Sequence, residues 1–511
     1  MMMNSLPRAG VREWIGLTVL AFPTLLLALD LSVLYLALPH LSTDLGATGT
    51  QQLWITDIYG FMVAGFLVTM GTLGDRVGRR KLLLIGGAMF GIVSVLAAYS
   101  VSAEMLIAAR AMKGIAGATL APSTLALISN MFLDAKQRGL AIAVWVSCFM
   151  GGAAIGPVVG GLMLEWFWWG SVFLLGLPVM GLLLITAPFL LPEYKDTNVG
   201  RLDLASVILS LSAILPIIFA LKELAKNGAE AMSFIILAVG LFFGVVFVRR
   251  QRKLASPLLD LRLFGNRTFS AALIILMFGV ATQGGVMLLF SQYLQMVKGL
   301  SPLEAGLWLV PSSLAMVAGS MLAPSFAQKI RPGTVIAYGM GTAAVGFLLL
   351  TQVHGSLGLA LPVIGVFLVF FGVGPMAALT QDIVVSSVQP EKAGSAAALS
   401  QTSGDFGIAL GVASLGSIGN ALYTNQLSET IPPDISVSLM DTALESIAGA
   451  ITVAEQLPSK LAMDLLIPAR EAFTTGLNAV AAVGAVIVII LAILAVAMLR
   501  GIHATSDNRE N

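Results

Sequence analysis

Fourteen apolar runs of roughly twenty residues fill this chain, and a bilayer accepts such runs only as helices that satisfy their own backbone hydrogen bonds. They lie at about 14–39, 54–73, 81–100, 104–128, 139–164, 170–191, 203–221, 231–248, 268–292, 302–325, 333–352, 357–386, 393–421 and 472–499, each long enough to cross the hydrocarbon layer. The residues are 57% apolar and only 11% charged, whereas soluble domains are about 45–50% apolar. The expected fold class is therefore an all-α polytopic membrane protein. The amino end, Met1–Val11, is too short and polar for a cleaved signal, so the first run is expected to be retained.

An even number of crossings puts both termini on one side. Most of the 28 lysines and arginines fall in segments on that side, which by the positive-inside bias is the cytoplasm. The densest group is Arg249–Lys253 with Arg262 and Arg267. Trp166, Trp168 and Trp169 sit in an outer loop, where an aromatic belt belongs. The single cysteine, Cys148, excludes an internal disulfide. The formal net charge of +1 points to no particular partner, and no nucleic acid is expected.

A weak repeat organises the chain. Leu53-Trp54 followed by Met62-Val63-Ala64-Gly65 recurs as Leu307-Trp308 followed by Met316-Val317-Ala318-Gly319, at an offset of 254. Gly152 and Gly156 recur as Gly407 and Gly411, at 255. The reading is a six-helix bundle over 1–191, a linker with two additional helices over 192–267, and a second six-helix bundle over 268–511. The outer segment at about 422–471 contains Pro432-Pro433 and seven acids. It fits a passive spacer somewhat better than a helical hairpin guarding an exit.

Charges inside the runs are few. Asp30, Asp57 and Asp405 are the intramembrane acids, and each costs about 2.5–3.5 kcal/mol at a helix centre, so each is a functional candidate by default. The competing reading for each is a structural hydrogen bond or ion pair. Arg110 is the strongest intramembrane cation, and its alternatives are an acid on the first span or backbone carbonyls. Lys113 lies almost one turn further on and receives no role. Asp382 reads as a cap or ion-pair partner near the inner interface. The three histidines, His40, His354 and His503, are not mid-span. With no P-loop, no H-E-x-x-H and no ligand cluster, no cofactor or metal is expected, and an enzyme or a channel is disfavoured.

The turn Gly71-Thr72-Leu73-Gly74-Asp75-Arg76-Val77-Gly78-Arg79-Arg80-Lys81 concentrates one acid and four cations between two apolar runs. Its G-x-L-x-D-R-x-G-R-R-K pattern closely resembles the loop between the second and third helices of major facilitator transporters. Four further stretches narrow the likeness. Leu29-Asp30-Leu31-Ser32-Val33 through Ala37-Leu38-Pro39 resembles the first-span signature of the fourteen-helix drug/proton antiporter family. Arg110-x3-Gly114-x2-Gly117 is similar to its intramembrane arginine motif, and Gly152-x3-Gly156-Pro157-x2-Gly160-Gly161 to its antiporter motif. Gln51-Gln52-Leu53-Trp54-Ile55 through Asp57-Ile58-Tyr59 is close to pumps of the QacA, SmvA and LfrA type. Pro257-Leu258-Leu259-Asp260 and Ser301–Gly306 extend the likeness over nearly the whole chain.

The resemblance implies export of quaternary ammonium compounds and other lipophilic cations in exchange for protons, across a bacterial inner membrane, by a monomer with both termini cytoplasmic. It implies proton coupling at Asp30 with Arg110. Substrate contacts are expected from Asp57, Asp405, Tyr59, Phe149, Met150 and Gln401. Gly71, Asp75, Arg76, Gly78, Arg79, Gly152, Gly156, Pro157 and Gly160 would serve the conformational cycle. Three departures stand out. Gln401 replaces the first of two acids four apart in the thirteenth span, Met316 stands where the QacA type has an acid, and Gly176 replaces a customary asparagine. The first two put divalent export in doubt. The alternative is a proton-coupled symporter, or exporter of one metabolite, on the same fold.

Overall fold

The computed structural model describes residues 8–47, 49–195, 203–227, 231–254, 257–354, 358–430 and 435–502. Every regular element among them is helical, and fourteen are long and apolar enough to cross a membrane. The first six crossings are α1 (Val11–Leu45), α2 (Gly49–Val77), α3 (Arg79–Ala98), α4 (Ala103–Met131), α5 (Ala135–Trp166) and a broken pair, α6 (Ser171–Leu174) with α7 (Gly176–Leu190). Then come α8 (Leu204–Asn227) and α9 (Ala231–Gln251). The last six crossings are α10 (Arg267–Gln292), α11 (Pro302–Ala327), α12 (Pro332–Leu350), α13 (Ala360–Ser386), α14 (Ala393–Thr430) and α17 (Ser459–Met498), with short helices α15 (Val437–Glu445) and α16 (Ile447–Ala454) before α17.

Local chemistry sets the ends. Ser102, Asp134 and Asn266 accept amide hydrogen bonds at the starts of α4, α5 and α10, satisfying first-turn donors that have no partner within the helix. Ser301 and Glu304 close a capping box on α11, with Pro302 at the first turn. The sixth crossing breaks beside Gly176. A side chain there would crowd the Phe90 ring and the Ser94 hydroxyl of α3, so the glycine in place of the customary asparagine lets α7 lie close on α3.

The packing of the first six crossings recurs in the last six. α1 packs on α5 as α10 does on α14; α2 on α4 as α11 on α13; α3 on α4 and α7 as α12 on α13 and α17. The two sets meet crosswise, α2 against α14 and α5 against α11, and α8 lies against both α2 and α14. The repeated glycines explain the match. Gly152 rests on the Leu25 carbonyl of α1, and Gly407 on that of Met277 in α10. Gly156 meets Leu29 and Ser32, Gly411 meets Ala281, and Gly160 meets Val33. Any larger residue would drive the helices apart. Pro157 lies within α5, and its side chain falls outside the described ones.

The long segment at about 422–471 is helical where it is described. α14 runs on to Thr430, α17 begins as early as Ser459, and α15 and α16 pack together between them. The Tyr423 hydroxyl donates to the Ala443 carbonyl at 2.8 Å, and that of Thr424 to Leu444 at 2.9 Å. Ile447, Ala450, Val453 and Ala454 are buried along one stripe of α16. That helical spacing of apolar residues gives the segment a core of its own. Pro432, Pro433 and Asp434 lie outside the described residues, as does His503.

Candidate functional site

The predicted residues gather at two places, and a third group lies between them. The first place is inside the first six crossings. Asp30 of α1 is 7% exposed, and Arg110 and Lys113 of α4 are fully buried. Lys113 Nζ donates to Asp30 Oδ1 at 2.5 Å. Arg110 Nη1 stands 3.9 Å from Asp30 Oδ2, while its Nε donates to the Ile55 carbonyl of α2. Arg110 thus reaches both an acid of the first span and a backbone carbonyl. Oδ2 takes no hydrogen bond from the described residues.

Aromatic rings enclose these charges. Lys113 Nζ sits 4.6 Å from the centre of Phe90 and 5.1 Å from that of Phe173. Arg110 lies 5.4 Å over Tyr59. Such ring faces favour a cation held out of water. Gly114 and Gly117 make room for Tyr59, since a side chain at either would meet its carbonyl or its hydroxyl. The Arg110-x3-Gly114-x2-Gly117 spacing is thus the fit of α4 to one tyrosine of α2. Tyr59 is itself only 2% exposed, so it lines the ionic cluster and not an open cavity.

Lys113 is the member that sequence reasoning missed. Its spacing from Arg110 placed it on nearly the same face of α4, and that was the available signal. The spacing does not say which helix that face meets. A buried carboxylate between two cations carries its countercharge with it, and removing one partner of such a group costs about 3–5 kcal/mol.

The second place is the end of the bundle where the described termini lie. The Ala9 amide donates to Gln137 at the start of α5, and α17 ends against the start of α12. Here Asp75 pairs with buried Arg79. Its other oxygen accepts from the Ser395 amide at 2.9 Å and the Ser395 hydroxyl at 2.6 Å, at the start of α14. Arg79 also donates to the Gly71 carbonyl at 2.6 Å. Gly71 and Gly394 leave no room for a side chain, because Ala398 and the Arg79 guanidinium occupy the space. Gly78 has φ of 119°, a backbone form that favours glycine, and ends the turn against Glu193. Arg76 is half-buried, and Arg79, three residues on, is the arginine that Asp75 draws into the junction.

Further ties cross the same end. Arg138 of α5 donates to Asp382 of α13 at 2.7 Å, the interface pairing expected for Asp382. The Thr72 hydroxyl of α2 donates to the Leu258 carbonyl at 2.8 Å. Asp260 accepts from Lys392 at 3.0 Å and from Arg262, and these two cations, Arg262 foremost, hold its carboxyl down at about 2.

Between these places lie the remaining candidates. Gln401 and Asp405 are half-buried and one turn apart on α14, a helix that packs against both α2 and α4. Gln401 Nε2 has no hydrogen-bond partner among the described residues. Tyr59 lies within electrostatic range of Asp30, Arg110 and Asp405, which links the ionic cluster to α14. Asp57 is half-buried two turns into α2, deeper than the one turn expected, because the helix starts at Gly49. Phe149 and Met150 are half-buried on α5. Trp54, Phe61 and Phe219 group their rings at 6.2–6.4 Å, joining α2 to α8.

Comparisons with known proteins show the family and the fold. The sequence pattern of the Major Facilitator Superfamily matches residues 20–412. The chain is 42% identical over 479 residues to the "Multidrug efflux pump LfrA" of Mycolicibacterium smegmatis, covering 94% of this chain and 95% of that one. It is 32% identical over 470 residues to the "Methyl viologen resistance protein SmvA" of Salmonella typhimurium, covering 90% and 93%. Among solved structures, the human organic anion transporter MFSD10 superposes with a TM-score of 0.57 at 15% identity, covering 93% of this chain and 99% of that one, a likeness of fold alone.

Proposed function

The chain belongs to the Major Facilitator Superfamily, and we propose that it is a proton-coupled multidrug antiporter exporting lipophilic cations such as quaternary ammonium compounds and dyes. It works as a monomer in a bacterial inner membrane with both termini cytoplasmic. Two six-helix units, 1–191 and 268–511, rock about a central site, and 192–267 carries the additional pair. The observation that carries the reading is the pair of intramembrane acids in opposite circumstances. Asp30 is clamped between two cations, whereas Asp405 is half-buried on the opposing unit.

Exchange needs a carboxylate that loses its proton when a cation arrives and regains it after the cation leaves. Asp30 takes the proton. Asp405, with Gln401 one turn away, meets the substrate. Asp57, Phe149 and Met150 line the path, and Tyr59 supports it from within the ionic cluster. Positive charge on either site weakens the hold of the other on a proton or a cation. The junction of Asp75, Arg79 and Ser395 closes the cytoplasmic end and must part in each cycle, and Gly152, Gly156 and Gly160 keep α5 sealed on α1. That the similar proteins are a multidrug efflux pump and a methyl viologen resistance protein supports an efflux role.

The test uses purified protein in liposomes with an imposed pH gradient. Adding ethidium should release protons against the direction of ethidium movement. Co-directional flux of proton and substrate would replace this reading with a symporter.

A further inference from the structure

Lys113 is the one charged group of the buried cluster to which the resemblance assigns nothing. We propose that Lys113 is a positioning residue that reserves Asp30 for protons. By occupying Oδ1 it keeps cationic substrates off this carboxylate and leaves Asp405 to receive them. The inference rests on the antiporter reading and adds the reason its two acids do not compete for one ligand.

The geometry is specific. The ammonium reaches Oδ1 at 2.5 Å and is fully buried. Phe90 of α3 and Phe173 of α6 hold it from two sides, so it has little freedom to swing away. The guanidinium of Arg110 faces Oδ2 from 3.9 Å, and that oxygen takes no hydrogen bond from the described residues. Among the described residues, the charged and titratable groups around Asp30 are Arg110 and Lys113 from α4 and Tyr59 from α2, while α5 meets this part of α1 with Gly152 and Gly156.

With Asp30 ionised, the cluster carries one net positive charge. With Oδ2 protonated it carries two. A lipophilic cation approaching Asp30 meets net repulsion in both states, and it is too bulky to share a carboxylate already bonded at one oxygen. A proton is not. Protonation also raises the positive charge felt through Tyr59 by a cation at Asp405, which favours its departure.

Removing the Lys113 charge should make Asp30 bind its proton more tightly and open it to cations. The experiment titrates the Asp30 carboxyl stretch by difference infrared spectroscopy in detergent-purified protein, with Asp30→Asn identifying the band. In Lys113→Gln the midpoint should rise by about one pH unit or more, the usual effect of deleting an opposite charge in contact. Lys113→Arg should keep the midpoint close to wild type. Ethidium binding, weakened in Asp405→Asn, should return in Asp405→Asn/Lys113→Gln, because Asp30 becomes available. If Lys113→Gln does not fold, Lys113→Met, of similar length and uncharged, carries the same expectations. An unmoved midpoint in a folded uncharged variant, or no recovery of ethidium binding in the double variant, overturns the proposal. These readouts need no transport. Failure of proton-linked ethidium export by the wild type would sink the antiporter reading by itself.

Discussion

Where α5 crosses α1, Gly152 and Gly156 rest on the carbonyls of Leu25 and Leu29; where α14 crosses α10, Gly407 and Gly411 rest on those of Met277 and Ala281. The residue after Leu29 is Asp30. The residue after Ala281 is Thr282, whose hydroxyl donates to its own helix at Gly279, 2.8 Å away. α4 brings Arg110 and Lys113 to Asp30, whereas α13, which packs on α11 as α4 does on α2, has no charged residue from Ala360 to Gln381. The half-buried acid Asp405 stands on α14 instead. A shared backbone scaffold thus carries a buried ionic cluster on one side and a half-buried acid on the other. The repeat preserves what holds helices together, namely the small residues at the crossings. It does not preserve the charges, because packing does not require them.

The largest effect should come from breaking this asymmetry at its root. Asp30→Asn should abolish concentrative ethidium export in everted vesicles. Asparagine keeps the volume, and its side-chain oxygen can still accept from Lys113, so membrane yield should persist. The matching change Thr282→Val should leave export within about twofold of wild type, since that hydroxyl only serves its own helix. Equal losses in both variants would mean that the two sides are not chemically distinct.

Asp405→Asn should come next. It should weaken ethidium binding by about tenfold or more, the value of one charge-assisted contact at about 1.5–3 kcal/mol. An uncharged substrate of similar size should bind as before. Equilibrium binding to purified protein measures both, and an equal loss for the uncharged compound would move Asp405 out of the charge-recognition role.

A smaller effect is expected at the closed end. Asp75→Asn removes the charge that holds Arg79 and weakens the tie to Ser395, at about 1–3 kcal/mol. Turnover should fall several-fold while ethidium affinity stays the same. Affinity loss at unchanged turnover would place Asp75 in the binding path.

The sequence was unequally readable across these regions. The fourteen crossings follow from apolar run length, which the bilayer demands directly. Asp30 was legible as a mid-span acid, because the cost of such a charge singles it out. Lys113 was visible only as a neighbour of Arg110 on one face, since its partner is set by how α4 meets α1. The same limit applied at the turn after α2. Four cations follow Asp75 closely, and the one that folds inward, Arg79, comes just after the backbone bend at Gly78. The helices of the segment at about 422–471 are hard to read for a different reason. Its prolines and acids suggest an irregular spacer, while the short apolar stripe Ile447–Ala454 is enough to build a packed hairpin once Tyr423 and Thr424 tie it down.

The smallest expected effect sharpens the comparison on the side of Asp405. A rigid divalent cation has two positive centres, and burying the second without a partner is costly. α14 offers one carboxylate, Asp405, and one neutral amide, Gln401, whose Nε2 has no hydrogen-bond partner among the described residues. The amide nitrogen is a donor and gains nothing from a cation. Export should therefore favour monovalent compounds such as ethidium and benzalkonium over rigid divalent ones. Gln401→Glu places a second acid one turn from Asp405 on the same face, which should improve divalent export modestly. The gain is limited because two nearby carboxylates also raise each other's proton affinity, so both are ionised together only above a higher pH. The improvement should accordingly grow as the pH rises. Asp57 of α2 is a second possible source of negative charge, and Asp57→Asn in the Gln401→Glu background separates the two. Resistance assays with a mono- and a bis-cation of matched hydrophobicity supply the measurement. Equal export of both by the wild type, with no gain from Gln401→Glu at any pH, would show that charge counting on α14 does not govern selectivity.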